Sequence, residues 1–126
     1  MKNLEIKATE NSPKVILDYD KNFIEFEGES YPEDTFGFYE PIIKCLKDFL
    51  KEKEGVDSIM NIKLTYFNSS TTQVLFDIFD LLEESNTQNL TINWYYDASN
   101  EDGMQDYEDY ADEFPDLNIK AIPFNN

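Results

Sequence analysis

Strand and helix patterns that alternate along these 126 residues predict an α/β fold, with a single mixed sheet of about five strands flanked by helices. The expected order is β-β-α-β-α-β-α-β. Two observations carry this reading. Period-2 alternation marks short segments such as 90–96, and apolar residues at helical spacing mark longer ones such as 38–50. A third bounds it: the length holds one domain, 1–126, and 40% apolar with 15% aromatic residues fills one core without staples.

Residues 1–13 read as a polar, extended lead-in ending in Ser12-Pro13. Segments 14–20 and 22–27 read as two strands around the turn Asp20-Lys21-Asn22, and 28–34 as a loop. The first helix is expected over 35–53, with Thr35 as N-cap and Phe38, Tyr39, Ile42, Ile43, Leu46, Phe49 and Leu50 on its apolar face. Pro41 implies either a kink or a start near Glu40, and Gly55 ends the helix. A strand follows over 58–67, with Ile62, Leu64 and Tyr66 on one face. The hydroxyl-rich turn Asn68-Ser-Ser-Thr-Thr72 leads into a second helix carrying Val74, Leu75, Ile78, Phe79, Leu81 and Leu82. Residues 90–96 form the next strand. The acidic stretch 97–114, with Met104, Tyr107, Tyr110, Ala111 and Phe114, reads as a third helix. The closing strand is 118–124, where Pro123 points to a sheet edge.

Charge narrows the function. Ten basic residues against 27 acidic ones leave −17 at pH 7, a field that repels nucleic acid and anionic membranes. It favours solubility or a basic protein partner. There is no histidine, which removes the commonest general base and a common metal ligand, and Cys45 alone cannot form an internal disulfide. No signal-peptide or membrane-length apolar run occurs, so the cytoplasm is the expected compartment and the sequons at Asn68 and Asn89 carry no glycan. The four glycines fit no phosphate-cradling loop, and no nucleophile–base pair is recognisable, so neither enzymatic activity nor a cofactor is expected. A calcium loop beginning at Asp97 would end correctly on Glu108. It would nevertheless place Asp102 at its sixth position and Gly103 at its seventh, which misplaces the turn, so no metal site is expected.

The informative segment runs from Thr65 to Phe76. Ser70 with Gln73 three residues on reads as a capping box, which accounts for one or two of the four successive hydroxyls. The functional reading is a phosphoacceptor at a helix start, where free N–H groups and the helix dipole favour an anion.

Tyr66-Phe67-Asn68-Ser69-Ser70 followed by Asp77-Ile-Phe-Asp-Leu-Leu-Glu-Glu84 resembles the core of the SiaC family of bacterial regulatory phosphoproteins. Gly28-Glu-Ser-Tyr-Pro-Glu33 and Asn93-Trp-Tyr-Tyr-Asp97 extend the resemblance, which spans about 14–124. It implies a fold like that of STAS anti-sigma factor antagonists and a non-enzymatic partner-switching role. A cognate kinase would phosphorylate the protein, a PP2C-type phosphatase would reverse this, and the unmodified form would bind and activate a diguanylate cyclase or other signalling protein. The acceptor follows the turn's Asn, which implies Ser69 as phosphoacceptor, where the family carries Thr. Ser70 and Thr71 are fallback acceptors, and Asn68, Ser69, Ser70 and Thr71 form the tip read by partners. Pro41 and the acidic 97–113 segment depart from the pattern. The alternative is an acidic adaptor or inhibitor that binds a basic partner without a covalent switch.

Overall fold

The structure, a computed structural model, describes residues 3–125. Six strands form one sheet in sequential order: β1 (Leu4–Ile6), β2 (Lys14–Asp18), β3 (Phe23–Ser30), β4 (Ser58–Phe67), β5 (Leu90–Asp97) and β6 (Asn118–Phe124). Three helices connect the last four: α1 (Thr35–Glu52), α2 (Ser69–Glu84) and α3 (Glu101–Glu113). β1, β2 and β3 form an antiparallel meander, and β3 to β6 run parallel. Each helix joins two neighbouring parallel strands, and all three pack on one face of the sheet. One core results, in which Val15, Leu17, Ile24, Phe26, Met60, Ile62, Ile92 and Trp94 of the strands meet the buried faces of the helices.

The expected architecture is present with one strand more. β1 lies inside the stretch read as a lead-in. Its three residues are too few to display an alternation, yet Leu4 and Ile6 align with Leu17 and Val15 and pack on the core. In β3, Ile24 and Phe26 face the helices while Phe23, Glu25 and Glu27 share the open face.

Helix ends also differ from the expectation. Asp34 caps α1 in place of Thr35, its Oδ1 accepting from Gly37 N at 3.0 Å. Thr35 instead turns inward, and its hydroxyl donates to the Pro32 carbonyl. α1 continues through Pro41, burying Tyr39, Ile42, Leu46 and Phe49 at helical spacing. Gly55, at φ 79°, supplies the left-handed residue just beyond its end. α3 begins at Glu101 rather than near Asp97, because Asn100 caps it and Asp97 Oδ1 accepts from Ser99 N in a turn. Its first turn leaves Met104 exposed, while Tyr110 and the C-cap Phe114 carry its packing.

One irregularity sets up everything at the far end of the sheet. β3 and β4 stay in step from Phe23↔Ile59 to Gly28↔Leu64, then slip by one so that Glu29 meets Tyr66 and Ser30 meets Phe67. Thr65 is the extra residue, and Gly28 at φ 123° supplies a backbone conformation other residues rarely adopt. The slip inverts the parity of β4. Phe67 turns in to pack edge-on against Trp94, and Tyr66, expected to share a face with Ile62 and Leu64, is 54% exposed.

Candidate functional site at the start of α2

Because β4 gains a residue, its end is drawn across the end of β3. Asn68 N donates to the Ser30 carbonyl at 3.1 Å, which fixes where α2 begins. Asn68 is the N-cap: its Oδ1 accepts from Thr71 N at 2.9 Å, and its carbonyl accepts from Thr72 N at 3.0 Å. The capping box expected at Ser70 and Gln73 is therefore not formed. The helix starts two residues earlier, and the amide side chain of Asn68 does the capping.

The four hydroxyls of this turn separate by helical geometry. Ser69 and Ser70, the first two residues of α2, are exposed, and their hydroxyls have no hydrogen-bond partner among the described residues. Thr72 is half-buried, its hydroxyl donating back to the Asn68 carbonyl at 3.2 Å. Thr71 is completely buried. Its Oγ1 donates to the Ser30 carbonyl at 3.0 Å and lies 2.9 Å from Ser30 Oγ, which in turn lies 2.7 Å from Tyr39 Oη. Of the residues expected at the tip, Ser69 and Ser70 are exposed and Asn68 is half-buried. Thr71 is not at the surface: its side chain points into the protein.

The fold gathers other features at this end, since parallel strands finish and helices begin there. Exposed Phe36 lies in the first turn of α1, exposed Tyr66 near the end of β4, and exposed Met104 in the first turn of α3. Tyr31 meets the Tyr66 ring edge-on at 5.7 Å. Beyond them a cleft of about 520 Å³ opens between the ends of β4 and β5 and the start of α3, with Tyr66, Trp94, Tyr96, Asp97, Asp102 and Asp106 in its lining. Burial, then Asp109 and Asp102, push the Asp106 carboxyl above its ordinary value. No lysine lines the cleft, and between residues 64 and 119 the chain has thirteen acidic and no basic side chains. Among the described residues no group of three or more His, Cys, Asp or Glu could hold a metal ion, so these acids line a wall and do not converge on a point. No described helix is long and apolar enough to cross a membrane.

The sequence pattern places Tyr39 only on the apolar face of the first helix and Ser30 only within the stretch 28–33, and assigns neither a role at this turn. The available signal was the stretch 28–33, whose Gly28 and Ser30 now have physical roles as the slip point and the anchor of the α2 turn.

Comparison with known proteins gives this geometry a context. The chain is 29% identical over 103 residues to an uncharacterized protein of Pseudomonas aeruginosa strain UCBPP-PA14, covering 80% of this chain and 81% of that one. The structure of apo-SiaC from Pseudomonas aeruginosa is similar at a TM-score of 0.77 and 25% identity, covering 98% of each chain. A chain in the crystal structure of the diguanylate cyclase SiaD in complex with its activator SiaC, from the same organism, superposes at 0.88 with 24% identity, covering 96% of this chain and 99% of that one. The family model described as SiaC family regulatory phosphoprotein matches residues 6–124. A chain that this model matches over nearly its whole length belongs to the SiaC family of regulatory phosphoproteins.

Proposed function

We propose that this protein is a non-enzymatic, cytoplasmic partner-switching regulator, reversibly phosphorylated on Ser69, whose unmodified form binds and activates a diguanylate cyclase. A cognate kinase and a PP2C-type phosphatase set the modification state. The observation that carries this reading is the Ser69 hydroxyl, exposed and unbonded at the first position of α2. A phosphate there meets the free N–H groups and positive dipole end of the helix, so the fold accommodates it. It finds no cationic side chain on α2 or α3, so its two negative charges stay directed at whatever docks on that end. The similarity to a chain from the SiaD–SiaC complex supports a cyclase as the partner.

The test pairs phosphosite mapping on protein from its own host with binding measurements on two variants. Ser69→Ala is expected to bind the cyclase like the wild type, and Ser69→Asp at least about tenfold more weakly, ~1.4 kcal/mol. Phosphate found elsewhere with Ser69 unmodified overturns the site. A second reading, charge-driven capture of a basic partner, is favoured by the acid-lined cleft and the lysine-free stretch 64–119. Binding of that kind falls steeply between low and high salt, whereas docking on Phe36, Tyr66 and the Ser69 turn does not.

A further inference from the structure

Proton counting assigns a direction to every bond in the buried hydroxyl cluster beneath the turn. Each hydroxyl has one hydrogen to give. The Ser30 carbonyl can only accept, so the Thr71 hydroxyl spends its hydrogen there, at 3.0 Å. Thr71 Oγ1 must then accept from Ser30 Oγ at 2.9 Å. With its hydrogen used, Ser30 Oγ accepts from Tyr39 Oη at 2.7 Å. The result is a one-way relay, Tyr39 to Ser30 to Thr71 to the Ser30 carbonyl, closed on itself at Ser30. All three residues are completely buried, and they come from α1, β3 and α2. Burial also pushes the Tyr39 phenol up to about 12, which keeps it a donor at any ordinary pH.

Four successive hydroxyls in a flexible peptide would be near-equivalent targets for a modifying enzyme. Here the relay pins one of them from below, and the same residue's N–H is pinned to Asn68 Oδ1. Freeing Thr71 would unwind the first turn of α2 and leave buried donors and acceptors unpaired, which is the expensive case for hydrogen bonds. We infer that Ser30, Tyr39 and Thr71 act as an acceptor selector: they hold the α2 turn so that Ser69 and Ser70 alone face a modifying enzyme. This selective role rests on the reading of the turn as a phosphorylation site; the tether beneath it does not. These are positioning residues, and none of them needs to touch a partner.

Amide hydrogen exchange on the unmodified full chain tests the tether. Ser30→Ala and Thr71→Val are expected to speed exchange at the Thr71 and Thr72 amides by about tenfold or more, with residues 74–82 of α2 unchanged. Tyr39→Phe keeps the ring and the fold while removing only the first donor, and is expected to give a smaller, about threefold rise at the same two amides. Thr71→Ser retains the hydroxyl and should exchange like the wild type. Phosphosite mapping of the same variants from their own host tests selection: phosphate appears at position 71 in Ser30→Ala and Tyr39→Phe, and stays absent from it in the wild type and in Thr71→Ser. Exchange within twofold of wild type in both Ser30→Ala and Tyr39→Phe, or a uniform rise along the whole of α2, overturns the tether. Phosphate at position 71 of the wild type or of Thr71→Ser overturns selection. A wild type with no phosphate anywhere in 69–72 overturns the modification reading and with it the selective role, while the exchange result still decides the tether.

Discussion

The two faces of this sheet solve burial by different chemistry. On the covered face, strand residues are almost wholly aliphatic and aromatic, and aromatic rings from three elements converge. Trp94 lies 4.7 Å from Tyr110 and 6.2 Å from Phe79, and Phe76 stacks on Tyr110 at 4.6 Å. The open face has no helix over it, and polar pairs run across its strands instead. Glu25 of β3 is only 7% exposed there, with Lys63 at 2.8 Å and Lys14 at 3.8 Å, and Lys14 also reaches Glu27 at 2.8 Å. Lys63 lies over the Tyr95 ring at 4.8 Å, and Asn93 donates to Asn61 at 3.0 Å. Side chains of a single strand thus alternate between a dry packing problem and a wet charge-pairing one. The covered face accounts for stability. The open face presents charged and polar groups to water and holds the strands in register at little net energetic gain.

Truncation of a ring on the covered face gives the largest effect. Phe79→Ala removes a completely buried ring that touches Trp94, Tyr110 and Phe114, and is expected to lower the unfolding free energy by roughly 3–5 kcal/mol in urea titrations. A loss below about 1 kcal/mol would place the core elsewhere.

Alkali sharpens the same contrast. Burial raises the Tyr39 phenol to about 12 and pushes Tyr110 up as well, so the folded protein holds these protons more tightly than the unfolded chain. Their contribution is complete below about pH 10, the ordinary phenol value, and is lost as pH rises toward the folded value, roughly 2–3 kcal/mol for Tyr39. Urea midpoints measured from pH 9 upward should fall accordingly, and Tyr39→Phe should flatten the fall.

The smallest effect belongs to the open face. Lys63→Ala is expected to lower stability by roughly 1–2 kcal/mol, because it leaves the nearly buried Glu25 carboxylate with Lys14 alone at 3.8 Å, while Lys63 itself is partly solvated. Its pH signature also runs the opposite way. The Lys14 hydrogen bond holds Glu27 below its ordinary value, so that contribution is present above the usual carboxylate range and fades as acid protonates the Glu27 carboxylate. A loss for Lys63→Ala as large as that for Phe79→Ala would erase the distinction between the faces.

Most of the fold was legible because each helix and each long strand carries its own period. The buried positions of α1 and α2 recur three and four apart, and β5 alternates from Leu90 to Trp94. β1 was illegible because three residues cannot establish an alternation, and Leu4 and Ile6 gain meaning only opposite Leu17 and Val15. At the site, Asn68, Ser69 and Ser70 could be read from composition and resemblance. The inward turn of Thr71 could not, because it depends on which residue caps the helix, and Asn68 and Ser70 were both chemically fit to do so. Ser30 and Tyr39 lie 41 and 32 positions from Thr71 in the chain, so only the closed sheet brings them beneath it.

The extra residue at Thr65 makes strand length and side-chain facing a single variable. A chain one residue shorter between Ile62 and Asn68 would keep every motif of the turn intact as text and still rotate it, swapping the sides on which Tyr66 and Phe67 lie. Any comparison of such proteins by aligned letters alone would score that deletion as minor, yet it would turn the molecule's addressable surface inside out.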